Sequence, residues 1–532
     1  MRTSLTKLRS PSLLAGIIFC LGASCSIWAQ GLPPQQDPLK KILAAGQAAG
    51  PNGACSATGE SLCEEAAPKI IANALGPSPL YENLRQLTDE IGGRQTGSPA
   101  MAKAITWAMD AFHAAGVENV KTETYTIPVN WSEGATRLDI LGAHPFPVRL
   151  VSIGWGPATP TGGITANVVD VGDGTAADFA RVGGAARGAI VLVHSAVLQT
   201  LDGLFAEYME APGIIDRSIG AGASAILWMS SREHLLLYRH TNSTEAKLDR
   251  LPQAIVARED AERLKRFLAA GQSVRAKLDI PNRIGGPAEQ QNVIAEIRGR
   301  EKPDEYVVVA AHLDSWDLGT GALDNGCNAA LVIEVARDIV ATGLKPRRSI
   351  RFMLVSGEEQ GLLGSWAYVR AHRAEMDRVA GAIAIDEGTG RITGYSLGGR
   401  TDTEAALRSI LKPVESWGVT QHTPDAIWGT DHFDFMLEGV PTLVANQEPA
   451  NYMLNYHAAS DTLDKVDIRE VKINAAIIGI TAFGIAEQAA PFGRRQTRTE
   501  VESMLKQTGL AQQLQQIGIW SMWQNGVRGR QP

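Results

Sequence analysis

Apolar and polar residues follow two repeat patterns along the second half of the chain. Three mainly apolar runs of strand length lie at residues 306–311, 349–355 and 381–385. Apolar residues at helical spacing lie between and after these runs, at residues 329–340, 362–372 and 471–488. Apolar strands of this kind are buried on both faces of a sheet, and their alternation with helices is typical of βαβ units. The pattern therefore predicts a mixed α/β fold, with a mostly parallel sheet between layers of helices.

The sequence before residue 290 divides into two parts. A helix is predicted where apolar residues recur at helical spacing, at Met101, Ile105, Met109 and Phe112. From about residue 131 to 286 the pattern changes to short apolar runs, such as 189–193 and 225–228, separated by short helical stretches and many glycines. This change predicts a smaller α/β domain inserted into the first one.

We therefore predict four segments after an N-terminal targeting sequence. They are an N-terminal part of the main domain at 30–130, an inserted domain at 131–286, the rest of the main domain at 287–490 and a C-terminal tail at 491–532. The tail is polar, and its only helical stripe is a weak one formed by Met504, Leu505, Leu510 and Leu514.

Residues 1–29 have the pattern of a secretory signal peptide. Three basic residues precede an apolar stretch at 12–28. Ala29, a small residue suited to cleavage, follows it directly. The stretch is short for a membrane span and contains Gly and Ser, so a membrane anchor is less favoured. Cys25 follows a sequence that only loosely resembles a lipoprotein cleavage site, so lipid anchoring is less favoured too. We predict a secreted or periplasmic protein with no integral membrane segment after cleavage.

Export to an oxidising compartment changes the interpretation of the cysteines. Cys55 and Cys63 lie eight residues apart and could close a small disulfide loop. Cys327 is then left over, and we predict that it fills space as a small apolar residue. A redox-sensitive or metal-sensitive thiol is the alternative.

Composition and charge narrow the class of protein. The chain has 532 residues, of which 44% are hydrophobic and 20% charged, so it is an ordinary globular protein and not a disordered, collagenous or coiled-coil one. Its formal charge of -7 and its lack of a basic cluster argue against a nucleic-acid partner.

Residues that can bind a metal or transfer a proton follow each predicted strand of the main domain. His312 and Asp314 follow the first strand, Glu358 and Glu359 the second, and Asp386 the third. In open α/β sheets, ligands bind beyond the carboxyl ends of the strands. The sequence therefore predicts a functional site at this edge of the sheet.

Loops contribute further candidates. Asp324 stands at the start of a predicted helix, where a carboxylate could also serve as a cap. His457 and Asp461 share a late loop.

Two imidazoles and three carboxylates are too many ligands for one catalytic zinc ion, which takes three protein ligands and a water. They suit two zinc ions that share one carboxylate, an arrangement known from aminopeptidases. A free carboxylate is then needed as the general base, and the neighbouring pair Glu358 and Glu359 can supply it while one of the two binds metal. Asp314 is placed to accept the second ring N–H of His312.

The motifs that carry these residues resemble a known family. They are His312-Leu-Asp-Ser-Trp-Asp, Gly-Ala-Leu-Asp324-Asn-Gly, Glu358-Glu359-Gln-Gly, Asp386 and His457 followed by Asp461-Thr. Together with the loop at 92–98, they resemble the zinc exopeptidases of the bacterial leucyl aminopeptidase and glutamate carboxypeptidase superfamily, closest to its carboxypeptidase Q branch. The resemblance covers roughly residues 80 to 490 and implies that the middle segment is a protease-associated insert.

The resemblance also implies a role for each site residue. It pairs His312 with Asp386 on one zinc ion and Glu359 with His457 on the other, with Asp324 as the bridge. Glu358 is then the proton acceptor.

The substrate contacts are less sharply indicated. Thr430, Asp431 and His432 lie where related enzymes have a substrate-facing loop, although they could equally cap a short helix at 433–437. Either Tyr456 or Tyr452 could stabilise the negative charge that develops on the substrate.

The leading hypothesis is a secreted exopeptidase of small peptides, of the aminopeptidase or dipeptidase type, in which two zinc ions activate water and Glu358 acts as the base. Both the free amino terminus and the free carboxyl terminus of the peptide are candidates for the end that it recognises. A homodimer is among the expected oligomeric states. The alternatives are a single-zinc aminoacyl transferase similar to glutaminyl cyclases and a receptor-like protein without catalysis.

Overall fold

The structure is a computed structural model that describes residues 62–531, all within one compact unit. The predicted signal peptide at 1–29 lies outside the described residues, and so does Cys55. Cys63 is disulfide-bonded.

Residues 62–531 form two seven-stranded sheets and a two-stranded one. The strands are β1 (Asn119–Ile127), β2 (Trp131–Ser132), β3 (Arg137–Leu141), β4 (Leu150–Ser152), β5 (Ile164–Asp170), β6 (Ile190–Val193), β7 (Ala225–Met229), β8 (Gln253–Val256), β9 (Arg275–Asp279), β10 (Arg283–Ile284), β11 (Ala288–Ile297), β12 (Lys302–His312), β13 (Arg348–Val355), β14 (Val379–Ala384), β15 (Ile392–Ser396) and β16 (Thr442–Gln447).

Helices connect these strands. They are α1 (Cys63–Leu75), α2 (Leu80–Arg85), α3 (Pro99–Ala114), α4 (Ala176–Val182), α5 (Leu201–Ala221), α6 (Arg258–Ala269), α7 (Cys327–Ala341), α8 (Leu363–Ala371), α9 (Glu404–Ile410), α10 (Phe433–Leu437), α11 (Tyr452–Asn455), α12 (Ile468–Glu487), α13 (Arg498–Gln507), α14 (Leu510–Gln516) and α15 (Ile519–Gln524). Shorter helical turns span Gln86–Ile91, Gly183–Ala186, Ala322–Gly326, Arg373–Arg378, Lys412–Trp417 and Leu463–Lys465. In the described part of the chain, no helix is long and apolar enough to cross a membrane.

The main sheet has the strand order β1-β11-β13-β12-β14-β16-β15. Its four central strands, β13, β12, β14 and β16, are parallel, whereas the outer pairs are antiparallel. The three apolar runs seen in the sequence correspond to β12, β13 and β14. The predicted mixed α/β fold is therefore confirmed, with the parallel strands restricted to the centre of the sheet.

The main sheet is buried on both faces. Tyr306, Val308 and Ala310 of β12 belong to a buried cluster that also contains residues of α8 and α10. Val307 and Val309 point to the opposite face and are also fully buried, on the side where α7, α12 and α1 contact one another. Burial on both faces explains why β12 is a continuous apolar run and does not alternate with polar residues.

The second seven-stranded sheet is built from residues 137–279, in the order β3-β9-β5-β6-β7-β8-β4. Just outside these residues, β2 pairs with β10 in antiparallel fashion, so the two chain crossings between the sheets lie side by side. The second sheet has its own buried apolar cluster. The identity of this segment as a protease-associated insert stays a prediction.

The C-terminal segment differs from the weakly patterned tail that we expected. Its helices α13, α14 and α15 bury Met504, Leu505, Leu510 and Leu514 together with Trp520 and Trp523 against the main domain. Arg528 is fully buried and donates to both carboxylate oxygens of Asp434, at 2.7 and 2.8 Å. The apolar stripe looked weak in the sequence because each helix contributes only a few residues, and the cluster forms only when three short helices meet α10.

Candidate active site

The central parallel strands bring the predicted metal ligands to one edge of the main sheet. His312 is the last residue of β12, and Asp386 follows β14. Glu358 and Glu359 lie in the loop after β13. Because these strands run in the same direction, their carboxyl ends meet at the same edge. The structure therefore groups residues that are up to 145 positions apart in sequence, since His457 also reaches this edge.

Asp324 lies between the two imidazoles. Its Oδ1 is 3.2 Å from Nε2 of His312, and its Oδ2 is 3.3 Å from Nε2 of His457. Each imidazole has a second carboxylate beside it, since His312 Nε2 is 3.0 Å from Asp386 Oδ1 and His457 Nε2 is 2.8 Å from Glu359 Oε2. The cluster thus consists of two imidazole–carboxylate pairs joined by one shared carboxylate.

Asp461 holds the main chain around Asp324. Its Oδ1 accepts a hydrogen bond from the amide of Leu323 at 2.6 Å, and its Oδ2 accepts one from the amide of Asp324 at 3.2 Å. Asp461 is itself buried. Its carboxylate therefore fixes the peptide that carries the shared ligand.

Asp314 contacts His312 differently from our prediction. The atom closest to Nδ1 of His312 is the main-chain carbonyl oxygen of Asp314, at 3.0 Å, whereas its carboxylate Oδ1 lies 3.7 Å away. The carboxylate instead accepts hydrogen bonds from the hydroxyl of Thr96 at 2.9 Å and from the amide of Glu358 at 3.3 Å. Asp314 therefore orients the imidazole through its backbone and the Glu358 loop through its side chain.

Burial and mutual repulsion perturb the pKa values of the cluster. Burial raises the pKa of Glu358 and Glu359 well above the usual range, and raises the pKa of Asp386 to about 6. Burial opposes a rise in the pKa of His312, but the surrounding carboxylates, Asp386 foremost, lift it well above its usual value. Burial lowers the pKa of His457 well below its usual value. The positive charge of His312 lowers the pKa values of these carboxyl groups, but it does not offset their burial and mutual repulsion.

The side chains fit a metal centre. His312, Asp324 and Glu359 offer ligand atoms that all lie within 4.8 Å of one another. Two buried oxygens of the cluster, Oδ2 of Asp324 and Oε1 of Glu359, have no hydrogen-bond partner. Leaving such a group unsatisfied costs about 1–3 kcal/mol or more when it is charged. Imidazole and carboxylate ligands are the donors that divalent transition metals accept, so a bound cation would satisfy both oxygens.

A pocket of about 420 Å³ opens beside the cluster. Asp324, Glu359, Asp386 and His457 line it together with Glu358. Other parts of the wall come from α5 and residues 241–244 of the second-sheet segment, from the loop at 427–430 and from the C-terminal residues 516–518. The sequence pattern gave no reason to place α5 or the C-terminal segment at the site.

The three predicted substrate contacts in the loop after residue 429 separate in the structure. Thr430 lines the pocket and donates a hydrogen bond to Asp386. Asp431 and His432 are buried outside the pocket lining. Nε2 of His432 lies 3.0 Å from the carbonyl oxygen of Ile427, which supports the loop from behind. Burial raises the pKa of Asp431 to about 8 and lowers the pKa of His432 to about 4.

Arg94 is a supporting residue that sequence reasoning did not single out. It is fully buried and donates to the carbonyl oxygens of Leu313, Thr320 and Gly321 at 2.7, 2.7 and 2.9 Å. Burial lowers its pKa to about 10, although the nearby carboxylates, Asp461 foremost, act in the opposite direction. Arg94 thus shapes the loop between His312 and Asp324. The glycine-rich loop at 92–98 was the one signal for it.

Cys327 is a free cysteine at the start of α7 and is fully buried. Its Sγ lies 3.5 Å from the carbonyl oxygen of Leu323, and burial raises the pKa of the thiol well above its usual value. A buried neutral thiol suits the space-filling role that we predict.

Known proteins share the fold and part of the sequence. Residues 292–481 match the family described as Peptidase family M28. Carboxypeptidase Q of Rattus norvegicus is 29% identical over 407 residues, which cover 76% of this chain and 85% of the relative. The crystal structure of a peptidase M28 precursor from Shewanella amazonensis SB2B is 28% identical with a TM-score of 0.74, covering 82% of this chain and 99% of that one. A zinc aminopeptidase from Bacillus subtilis has the same fold, with a TM-score of 0.60 at 22% identity and coverage of 79% and 97%.

The buried ligand cluster and these matches define a metallopeptidase of the exopeptidase class. Residues 292–481 match peptidase family M28, and the chain is similar to carboxypeptidase Q over 76% of its length. The matches confirm the predicted enzyme class and the resemblance to zinc exopeptidases near carboxypeptidase Q.

Removal of the Asp461 carboxylate should weaken metal binding. We expect Asp461→Ala to lower metal affinity about 10–100-fold, because the amides of Leu323 and Asp324 lose the acceptor that holds the shared ligand in place. Competition with a chelator for zinc would measure the change. Asp464→Ala, three residues away at a side chain that is 68% exposed, is the matched control. Equal affinities of the Asp461→Ala and wild-type proteins would contradict this role.

Proposed function

We propose that this protein is a secreted exopeptidase that uses two zinc ions to hydrolyse small peptides. The observation that carries the proposal is the position of Asp324, whose two carboxylate oxygens face different imidazoles at 3.2 and 3.3 Å. A carboxylate shared in this way suits two ions better than one. A single-zinc transferase would have no use for the second imidazole–carboxylate pair.

The distances favour the ligand pairs that the resemblance implies. His312 and Asp386 would hold one zinc ion, Glu359 and His457 the other, and Asp324 would bridge them. When bound, the ions would polarise the peptide carbonyl and make water more acidic.

Glu358 is the group that moves the proton. It lines the pocket beside the ligand Glu359, and its amide is held by the carboxylate of Asp314. As a buried carboxylate facing the reaction space, it accepts a proton from the attacking water and returns it to the leaving amine. Thr430 and Tyr456 contact the substrate from the pocket wall. His432 supports the loop that carries Thr430 through its contact with the carbonyl oxygen of Ile427.

The charges of the pocket favour a substrate with a free amino terminus. Among the residues lining it there are five carboxylates and no lysine or arginine. Four of the carboxylates surround the proposed zinc ions, which leaves Glu387 in excess. Arg232 lies near Tyr456 but outside the pocket lining. Its guanidinium donates hydrogen bonds to the Tyr456 carbonyl oxygen at 3.0 Å and to Ser231 Oγ at 2.8 Å. The pocket therefore attracts the terminal ammonium group of a peptide substrate more than its terminal carboxylate.

Two features support export. The first is the signal-like pattern at residues 1–29, and the second is the disulfide at Cys63. Disulfides form and persist in oxidising compartments such as the periplasm and the extracellular space.

Exchange of Glu358 for Gln tests the proposed base. We expect Glu358→Gln to lower kcat by about 10²–10⁴-fold because the amide cannot accept the proton of water. Its zinc content should equal that of the wild type. Glu359→Gln is the informative comparison, since it alters a ligand and should lose zinc as well as activity. Retained peptidase activity in Glu358→Gln would rule out this residue as the base.

End-blocked substrates test the recognised terminus. We expect acetylation of the amino end of a dipeptide such as Leu-Ala to lower kcat/KM by at least about a hundredfold, because the pocket loses its charge complement. Amidation of the carboxyl end should change kcat/KM less than about tenfold. Steady-state hydrolysis by the zinc-loaded enzyme measures both. The opposite order would show that the carboxyl end is recognised.

A further inference from the structure

One helix of the second-sheet segment reaches the active-site pocket. Leu201, Leu204, Phe205 and Tyr208 of α5 line the pocket together with the metal-ligand cluster. The hydroxyl of Tyr208 lies 3.2 Å from the hydroxyl of Tyr456, which is 248 residues away in sequence. This hydrogen bond joins the second-sheet segment to the residue that precedes the ligand His457.

Tyr456 is fixed in three places. Its ring stacks on the imidazole of His457, with ring centres 3.6 Å apart and planes at 20°. Its main-chain carbonyl oxygen accepts a hydrogen bond from Arg232, and the edge of Tyr452 packs against its ring at 5.5 Å. These contacts fix the backbone and the ring of Tyr456. The direction of its O–H bond depends on its hydrogen-bond partner, Tyr208.

Tyr208 is held from both sides of the pocket. Its ring lies 5.4 Å from that of His240 in the second-sheet segment and packs edge-on at 6.3 Å against Trp428 in the loop that carries Thr430. Helix α5 is capped by Thr200, whose hydroxyl accepts a hydrogen bond from the amide of Gly203 at 3.2 Å. Tyr208 is therefore a well-anchored partner.

The chemistry of a phenol gives this contact a direction. A tyrosine hydroxyl carries one proton and can also accept a hydrogen bond. When Tyr208 donates to the oxygen of Tyr456, the proton of Tyr456 is free to point into the pocket. A hydrogen-bond donor that is in position before the reaction lowers the activation free energy most when it points at an atom that becomes charged in the transition state.

We propose that Tyr208 is a positioning residue for Tyr456, because it directs the hydroxyl of Tyr456 toward the carbonyl oxygen of the scissile peptide as that oxygen becomes negative. The inference rests on the proposed peptidase function. It makes the second-sheet segment a part of the catalytic apparatus as well as a wall of the pocket.

A double-mutant cycle with Tyr208→Phe and Tyr456→Phe tests the proposal. Loss of one donor to a developing oxyanion lowers kcat by about 10²–10³-fold, and we expect this loss for Tyr456→Phe. Tyr208→Phe should lower kcat about tenfold with KM changed less than about threefold, because the donor remains but is no longer aimed. The double variant should be no slower than Tyr456→Phe, since Tyr208 acts through Tyr456.

Tyr238→Phe is the matched control. Tyr238 is a buried phenol that donates a hydrogen bond to Glu207, which lies on α5 as Tyr208 does. Tyr238 does not line the active-site pocket. We expect its kcat to stay within about twofold of the wild type, and any loss to multiply with that of Tyr456→Phe. Thermal unfolding of all variants checks that Tyr208→Phe does not lose kcat through loss of folded protein.

The outcomes separate this inference from the proposed function. Losses that multiply in the double variant, or a kcat of Tyr208→Phe equal to that of the wild type, would overturn the role of Tyr208 while leaving an active peptidase. A zinc-loaded wild type that hydrolyses no peptide would overturn the proposed function and this inference with it.

Discussion

The structure depends on one electrostatic constraint, which is the burial of several carboxylates around two imidazoles. Asp324, Glu359 and Asp386 face His312 and His457, and two carboxylate oxygens of the cluster have no hydrogen-bond partner. Buried charge is costly unless it is paired or binds a metal. The raised pKa values of Glu358 and Glu359 express the same cost. A cation site resolves this conflict, and the surrounding fold holds the ligands in place for it.

The fold meets the constraint by directing parallel strands at one point. The ends of β12, β13 and β14 supply His312, the Glu358 loop and Asp386, while Asp461 and Arg94 hold the connection that carries Asp324 through main-chain hydrogen bonds. Segments from elsewhere in the chain, among them α5 and residues 516–518, form part of the wall of the pocket beside the cluster. Ligand geometry and substrate access are thus assigned to different parts of the protein.

This division explains what could be predicted from the sequence. The strands and the residues at their ends were predictable because a doubly buried strand is a continuous apolar run and its carboxyl end has a known role. The contacts of Tyr208, Arg94 and Arg528 were not, because each joins side chains far apart in sequence and leaves no periodic signal. The C-terminal cluster escaped notice for the same reason. For Asp314, only coordinates could distinguish its carbonyl oxygen from its carboxylate as the group beside the His312 ring.

The shared position of Asp324 is the central claim, and metal stoichiometry tests it most directly. Elemental analysis of the zinc-loaded wild type should give two zinc ions per chain, and Asp324→Ala should lose the pair together, because both ions depend on the same carboxylate. A single tightly bound zinc ion in the wild type, or a full complement of two in Asp324→Ala, would contradict the account.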